Sequence, residues 1–364
     1  MATYYVGIGG NDANDGTSWS SRKLTLNGAE DIPVAAGDTV YVGPGTYRER
    51  LTCDVGGSDG SPITYIGDYD GSHTDGVGGI VRVTASNDDK VVARSTIVIM
   101  NGKAYRTFEG FAFDGVSSAT YGMIWVETYD VDHLTIRKCT FNGWNGIAIK
   151  AWSTANLTNM LVENCIATNC ENFYDDGEVQ DNSGNVIQNC LFFAIPNYVI
   201  NTKSGGFTVK NCSFYGAFRC VNVSSSLNAG QTVTVNNCIM HGIANYALAA
   251  TTLGNLVEDY NLCPGRQNVA TGAHSLKYGS LLDMRWAHEL LNGGSMLSPF
   301  DLASYSQLIN VAGTSPTAKD IRGTAKIGAE REWGALEYDS TLDIEAGSGG
   351  GGSVKILPLG RIGL

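Results

Sequence analysis

The chain has 364 residues, including 46 Gly, and 43% of it is hydrophobic. It is therefore long enough to bury a substantial core, and its glycines suit frequent turns. The formal net charge is −12 and no basic run is present, which disfavours binding to nucleic acid or to an anionic membrane. The same negative charge also disfavours a polyanionic substrate, although this argument is weaker than the one against nucleic acid.

Sequence typical of a folded domain begins within the first residues. Met1 to Val6 shows no basic region, no apolar signal core and no cleavage site. No later stretch has the length of a transmembrane helix. We therefore expect no signal peptide and synthesis in a cytoplasm.

Two aspartate-rich stretches, 12–15 and 68–75, follow near the start. Carboxylate and carbonyl oxygens suit Ca²⁺, but neither stretch has the strict spacing of a calcium loop. Asx turns explain the same residues. We expect no cofactor, with Ca²⁺ as the alternative.

A repeated pentad organises the middle of the chain. Its central cysteines stand 26, 25, 22 and 26 residues apart at Cys139, Cys165, Cys190, Cys212 and Cys238. A period of this length is typical of a solenoid. Apolar residues alternate around each cysteine, as in Leu134 and Ile136, which indicates several short strands per repeat and no helix. The repeat predicts an all-β fold, a parallel β-helix.

The cysteines are predicted to form an inward column in which a free thiol behaves as a small hydrophobic group. Phe111 stands one repeat upstream at the same position. The alternative for nine cysteines is a set of secreted disulfides. An asparagine precedes the cysteine in four repeats, and we expect these amides to stack at a turn: Asn164, Asn189, Asn211 and Asn237.

Both ends of the chain carry a family resemblance. The stretches Tyr4 to Val6, Gly10 to Trp19 and Ala36 to Glu49 resemble the cap and first coil of pectate-lyase-like, right-handed parallel β-helix proteins. Ser315 to Tyr338 is similar to the closing segment of many members. That fold hosts lyases, hydrolases, epimerases, adhesins and phage spikes, so the resemblance implies the fold better than the function.

The period is lost after Cys263. Leu282, Trp286 and Leu290 have helical spacing before Gly293 and Gly294, which predicts a short helix over the open end of the solenoid. We divide the chain into an amino-terminal cap (1–37), a parallel β-helix (38–265), a carboxy-terminal cap with this helix (266–340), and a linker with a tail (341–364).

The tail consists of a glycine-rich linker, 347–353, and an apolar peptide. Its composition predicts flexibility. It is either a disordered tail or expression scar, or a peptide that docks on a partner. The docking residues would be the apolar ones: Val354, Ile356, Leu357, Leu359, Ile362 and Leu364.

No strong catalytic motif is present. Alignment on the cysteine column brings Glu127, Lys150 and Asp176 to similar outward positions, with Asn201 one coil further and Glu178 and Lys203 nearby. Glu127 and Asp176 would then lie roughly 10 Å apart, which suits an inverting hydrolase. A surface ion-pair ladder explains the same residues. In a regular strand Asp175 and Asp176 face opposite sides.

Aromatic side chains provide a second set of candidates. Trp144, Trp152, Tyr174 and Tyr198 would either line a sugar-binding face or shield the edges of coils.

The missing signal peptide, the tethered tail and the absence of a catalytic motif favour a non-enzymatic virion surface protein. The hypothesis is a phage capsid decoration or cement protein, made in the host cytoplasm and bound to the capsid through its tail. The family resemblance implies a homotrimer. The alternatives are a tailspike or polysaccharide lyase or glycoside hydrolase acting on a host glycan, with Glu127, Lys150, Asp176 and Lys203 as weak catalytic candidates, and a non-catalytic glycan-binding adhesin.

Overall fold

The computed structural model describes residues 1–278, apart from 33, 88–93, 116–121, 144–145, 153–154, 178–180, 225–230, 253, 265–268, 270–271 and 273–274. The predicted helix near 278–294, the closing segment and the tail lie outside the described residues.

Parallel strands stacked coil upon coil form most of the described fold. The first ladder is a ten-stranded sheet. Its strands are Thr3–Val6, Thr39–Val42, Ile63–Gly67, Arg106–Glu109, Leu134–Arg137, Leu161–Glu163, Val186–Gln188, Phe207–Lys210, Val233–Asn236 and Leu256–Asp259. The predicted parallel β-helix is confirmed.

Two further ladders share one 16-stranded sheet. The second ladder contains Gly45–Tyr47, Val81–Thr84, Ala112–Asp114, Thr140–Asn142, Ile166–Thr168, Ile239–His241, Leu262–Pro264 and Leu276–Tyr278. The third ladder contains Leu51–Thr52, Thr96–Ile99, Gly122–Glu127, Ile149–Trp152, Tyr174–Asp176 and Leu248–Ala250. Two long strands, Leu191–Thr202 and Ser213–Val223, run through both ladders and join them.

Short elements complete the described coils. Val131–Asp132 pairs with Leu157–Thr158. The segment predicted as the amino-terminal cap contains the 3-10 helix Trp19–Ser21 and the α-helix Leu26–Glu30, and it also supplies the first strand of the first ladder.

Several coils turn between the first and second ladders through a residue with a left-handed backbone conformation. Asn164, Asn189, Asn211 and Asn237 have φ values of 54°, 52°, 54° and 55°, and Gly110 takes this position in an earlier coil with a φ of 77°. Asparagine and glycine accept this conformation more readily than other residues. The recurring asparagine therefore marks the place where the chain must bend.

The interior is filled by side chains in register. The five cysteines of the predicted column are buried, and all nine cysteines of the chain are free thiols. Beside them runs an aromatic column in which Phe113 stacks on Phe141 at 5.2 Å, and Phe192 on Phe214 at 5.1 Å. Ala167 interrupts this column in register.

Phe173, from the turn before the third ladder, fills the space that Ala167 leaves. Its ring centre lies 5.4 Å from that of Phe141 and 4.8 Å from that of Phe192. The aromatic contacts are therefore continuous through this coil.

A buried ion pair ties the α-helix to the solenoid. Arg106 donates from Nη1 and Nη2 to the two carboxylate oxygens of Glu30, each at 2.7 Å. The Arg106 side chain is 0% exposed and the Glu30 side chain is 2% exposed. Tyr65 also donates its hydroxyl to Glu30, and Arg106 Nε donates to the Val55 carbonyl. Every charge in this cluster is therefore matched by a hydrogen-bonding partner.

Removing Arg106 is expected to destabilise the protein strongly. Arg106→Ala leaves the Glu30 carboxylate buried without its cation, a change that costs about 3–5 kcal/mol of unfolding free energy. Lys138→Ala is the matched control, because Lys138 pairs with Glu109 through a side chain that is 55% exposed, and such pairs contribute less than about 1 kcal/mol. Urea unfolding measures both variants. Equal losses would show that the buried pair has no special role.

Candidate functional site

A column of polar and aromatic side chains runs along the outward face of the third ladder. Its members are in register across five coils: Trp125, Lys150, Asp175, Asn201 and Asn222. We call this set the outer column. It places a cation, a carboxylate and two amides next to one another on consecutive coils.

The outer column differs from the alignment predicted from the sequence. Glu127 lies opposite Trp152, two positions beyond the outer column, and its side chain is outside the described set. Asp176 lies opposite Ala151 and is fully buried. The alignment of Glu127, Lys150 and Asp176 on one outward face was therefore wrong. Asp175 and Asp176 do face opposite sides, as a regular strand requires.

Hydrogen bonds link the outer column from coil to coil. Arg219, which is paired in register with Tyr198, extends the set by donating to Asn222 Oδ1 at 2.6 Å. Asn222 donates to Asn201 Oδ1 at 2.7 Å, and Asn201 donates to Asp175 Oδ1 at 3.0 Å. Each amide thus donates to the preceding coil and accepts from the following one or from Arg219. The side chains are held in one orientation.

Asp175 sits at the centre of this network as a half-buried carboxylate. Its second oxygen accepts a bond of 2.9 Å from Asn172. Burial raises the pKa of Asp175, while the hydrogen bonds from Asn201 and Asn172 and the charge of Lys150 oppose that rise. A carboxylate with a raised pKa is suited to exchange protons with a substrate.

Aromatic rings surround the two cations of this face. Lys150 Nζ lies 4.2 Å from the ring centre of Trp152 and 5.9 Å from that of Trp125. The Trp152 ring packs over Gly177, where an added Cβ would lie 2.2 Å from a ring carbon, yet 40% of Trp152 remains exposed. The ring is therefore a fixed, open platform.

Arg219 lies among three rings. Its guanidinium carbon is 5.6 Å from the ring centres of Tyr198 and Phe218 and 5.9 Å from that of Tyr246. Its Nε is buried and has no hydrogen-bond partner among the described residues. Tyr246 is 38% exposed. This end of the outer column therefore combines an open aromatic edge with an unused donor.

Asp176 is part of the interior. It accepts hydrogen bonds from Thr202 Oγ1, Asn182 Nδ2 and the backbone N–H of Lys203. Burial raises the pKa of Asp176 well above its usual range, against the effect of these donors. A fully buried carboxyl has no contact with a substrate outside the solenoid, so Asp176 is not a catalytic candidate in this fold.

The aromatic candidates divide in the same way. Trp152 and Tyr198 lie at the outer column, whereas Tyr174 is buried inside and packs on Phe207. Trp144 and Glu178 lie outside the described residues. Sequence reasoning missed Trp125, and it also missed Asn222 and Arg219, which lie on one of the two long strands that run through both ladders.

The aspartates proposed for Ca²⁺ act as hydrogen-bond acceptors in their own loops. Asp12 accepts from the backbone of Leu24 and Thr25, and Asp68 accepts from the His73 N–H and the Thr74 hydroxyl. Within the described ranges, no three His, Cys, Asp or Glu residues are grouped as a metal site would require. Calcium remains a prediction.

A family model described as "Right handed beta helix region" matches residues 95–261. The parallel ladders described above account for that match. The described part of the chain has the fold of a right-handed parallel β-helix. No helix in the described part of this β-helix is long and apolar enough to cross a membrane.

Several solved structures resemble the β-helix. A rhamnogalacturonan lyase has a TM-score of 0.48 at 15% identity, with 78% of this chain and 88% of the other covered. The pectate lyase Pel9A has a TM-score of 0.46 at 17% identity, with 93% of this chain and 97% of the other covered. A lacto-N-biosidase from Eubacterium ramulus has a TM-score of 0.49 at 12% identity, with 74% of this chain and 57% of the other covered. At these values we draw no conclusion about activity from the likenesses. No curated protein sequence matches the chain.

The stability of the β-helix is expected to depend on pH through Asp176. An unfolded aspartate loses its proton near pH 4, whereas the raised pKa of Asp176 lets the folded chain keep it to higher pH. The stability contributed by this proton is therefore complete below about pH 4 and is lost as pH rises towards the folded pKa.

Asp176→Asn removes this titration. We expect the unfolding free energy of the native chain to fall relative to that of Asp176→Asn as pH rises from about 4. Urea unfolding at a series of pH values measures both. Asp59→Asn, on an exposed turn, is the control. A native chain that gains stability relative to Asp176→Asn as pH rises would contradict the assignment.

Proposed function

We propose that this protein binds a polysaccharide along the outer column and degrades it by lyase chemistry. The supporting observation is the chain of side-chain hydrogen bonds from Arg219 to Asp175, which is flanked by exposed aromatic rings at both ends. Rings pack on the apolar faces of sugars, and ordered amide and carboxyl groups hydrogen-bond their hydroxyls.

The length of the outer column favours a polymer over a small ligand. Five coils at the parallel strand spacing place Trp125 and Asn222 about 19 Å apart. The face follows the axis of the solenoid, so successive sugar units would meet equivalent positions on successive coils.

The net charge of −12 disfavours a polyanion over the molecule as a whole, but the cations of this face favour elimination from a uronic acid polymer. Lys150, one coil from Asp175, would neutralise the sugar carboxylate, which acidifies the adjacent C–H bond. Asp175 would take that proton; the electrons of the C–H bond form the new C=C bond, and the glycosidic oxygen leaves with its bonding electrons and is then protonated. A cation at the carboxylate and a base of raised pKa are the two groups that this reaction needs.

Hydrolysis by paired carboxyl groups fits the described residues less well. Such an enzyme requires two carboxyls about 5–10 Å apart on either side of the bond. Asp175 is the one carboxylate among the described side chains of the outer column, and Asp176 lies inside the fold. Lyase chemistry needs no second carboxylate.

The hypothesis of a virion surface protein rests on the sequence. Residues 354–364, which would anchor it to a capsid, lie outside the described residues. A structural role on a virion and action on a host glycan are compatible, as in a tailspike, so that hypothesis stays a prediction beside the one proposed here.

Loss of the Asp175 carboxylate is expected to abolish degradation. The protein is incubated with pectate, alginate and hyaluronan, and the ultraviolet absorbance of the unsaturated product is followed. Asp175→Asn should lower the rate at least about 100-fold, because a general base contributes 10²–10⁴-fold, while Asp59→Asn should not. New reducing ends without absorbance would indicate hydrolysis, and no product from any polymer would refute degradation.

Binding is expected to depend on the open tryptophan. Trp152→Ala should weaken affinity for the same polymers about tenfold, or 1.4 kcal/mol, because it removes the stacking platform and uncovers Lys150. Tyr69→Ala is the matched control, since Tyr69 is 61% exposed and lies in the loop between the strands Ile63–Gly67 and Val81–Thr84, outside the third ladder. Affinity electrophoresis measures both. Equal retardation of the two variants would show that the polymer binds elsewhere.

A further inference from the structure

A second exposed surface lies near the amino-terminal end of the solenoid and has no part in the outer column. It consists of Tyr69, Val77 and Ile80 from the loop between the strands Ile63–Gly67 and Val81–Thr84, together with Ile8. Tyr69 is 61% exposed and Val77 is 83% exposed. Large apolar side chains this open are unusual when they lie together. We call these four residues the apolar tip.

Contacts through Gly45 and within the loop bring these residues to the same end of the solenoid. Ile80 accepts a hydrogen bond of 3.0 Å from the backbone of Gly45, and Ile8 lies so close that a Cβ on Gly45 would be 2.4 Å from its Cγ1. The loop also closes on itself, because the Gly79 N–H donates to the Tyr69 carbonyl at 2.7 Å. Both ends of the loop are therefore anchored on the same coil.

The loop is rigidly built around buried and exposed aspartates. Asp68 is 3% exposed and accepts from the His73 N–H, and the His73 ring stacks on Tyr41 with centres 4.1 Å apart. Asp75 accepts from the N–H groups of Val77 and Gly78. Val77 is thus held outward by its own backbone bonds, so little conformational entropy is lost when a partner covers it.

The charge beside Tyr69 and Val77 is negative, whereas Arg22 donates a hydrogen bond to the Ile8 carbonyl at the other side of the apolar tip. Asp70 and Asp75 are both exposed, and hydrogen bonds from backbone N–H groups lower the pKa of each. Positions 68–80 contain no Lys or Arg. A fitting partner would combine large apolar side chains with positive charge and carry no acidic groups.

One segment of this chain has that composition. Residues 354–364 hold six large aliphatic side chains, the cations Lys355 and Arg361, and no Asp or Glu. The glycine-rich run 347–353 precedes them, and residues 279–364 lie outside the described residues. In a chain of net charge −12, an apolar cationic segment joined to the solenoid by the same chain is attracted to acidic surface at high effective concentration.

We infer that residues 354–364 dock on the apolar tip. The aliphatic side chains cover Tyr69 and Val77, and Lys355 and Arg361 face Asp70 and Asp75. The occupant is a segment of this chain, from the same copy or from a neighbouring one. This interaction is independent of the proposed action on polysaccharides, since no residue of the outer column takes part.

Photochemical cross-linking tests the inference on the full chain. A benzophenone amino acid replaces Val77, whose side chain is almost entirely exposed, and irradiated protein is digested and sequenced by mass spectrometry. The expected cross-links join position 77 to residues 354–364. A mixture of isotopically light and heavy copies separates links within one copy from links between copies, and either kind supports the inference.

Two controls make the result decisive. The same amino acid at Val257, which is 51% exposed in the last strand of the first ladder, should not reach the segment. The double change Lys355→Glu and Arg361→Glu should abolish the cross-link at position 77, because it reverses the charge without touching the solenoid. Cross-links to other segments, equal yields from both positions, persistence in the reversed-charge chain or no cross-link would each overturn the inference.

Discussion

The stacking of coils at one strand spacing is the constraint on which this structure depends. Each inward side chain must fill the same cross-section as its neighbours in the coils above and below, because a void in a packed interior forfeits contacts on every side. The coil with Ala167 shows how strictly this holds. The small side chain leaves a space in the phenylalanine column, and Phe173 enters it from a different part of the coil.

The same constraint builds the outer column. Register within the third ladder places Asp175, Asn201 and Asn222 one above another, so that their side chains meet. In a site made in this way, backbone pairing aligns the polar groups. Two side chains from outside the paired column complete the network, since Asn172 donates to Asp175 and Arg219 donates to Asn222.

The fold could be predicted from the sequence because the cysteine column repeats with little variation. The site could not, for a reason that one residue illustrates. Lys150 lies eleven residues after Cys139 and Asn201 eleven after Cys190, but Asp175 lies only ten after Cys165. Counting a constant eleven selects Asp176, and a shift of one residue in a strand moves a side chain to the opposite face. The turn between the ladders, whose length no periodicity reveals, decides which aspartate faces outward.

The buried thiols have a consequence of their own. Burial raises the pKa of Cys139, Cys165 and Cys190, and only the thiolate reacts with alkylating reagents. Each coil of the column therefore carries a thiol that does not react with an alkylating reagent while that coil is folded and reacts once the coil opens. Because local opening varies across a structure, the order in which these cysteines become labelled would record the order in which the coils come apart.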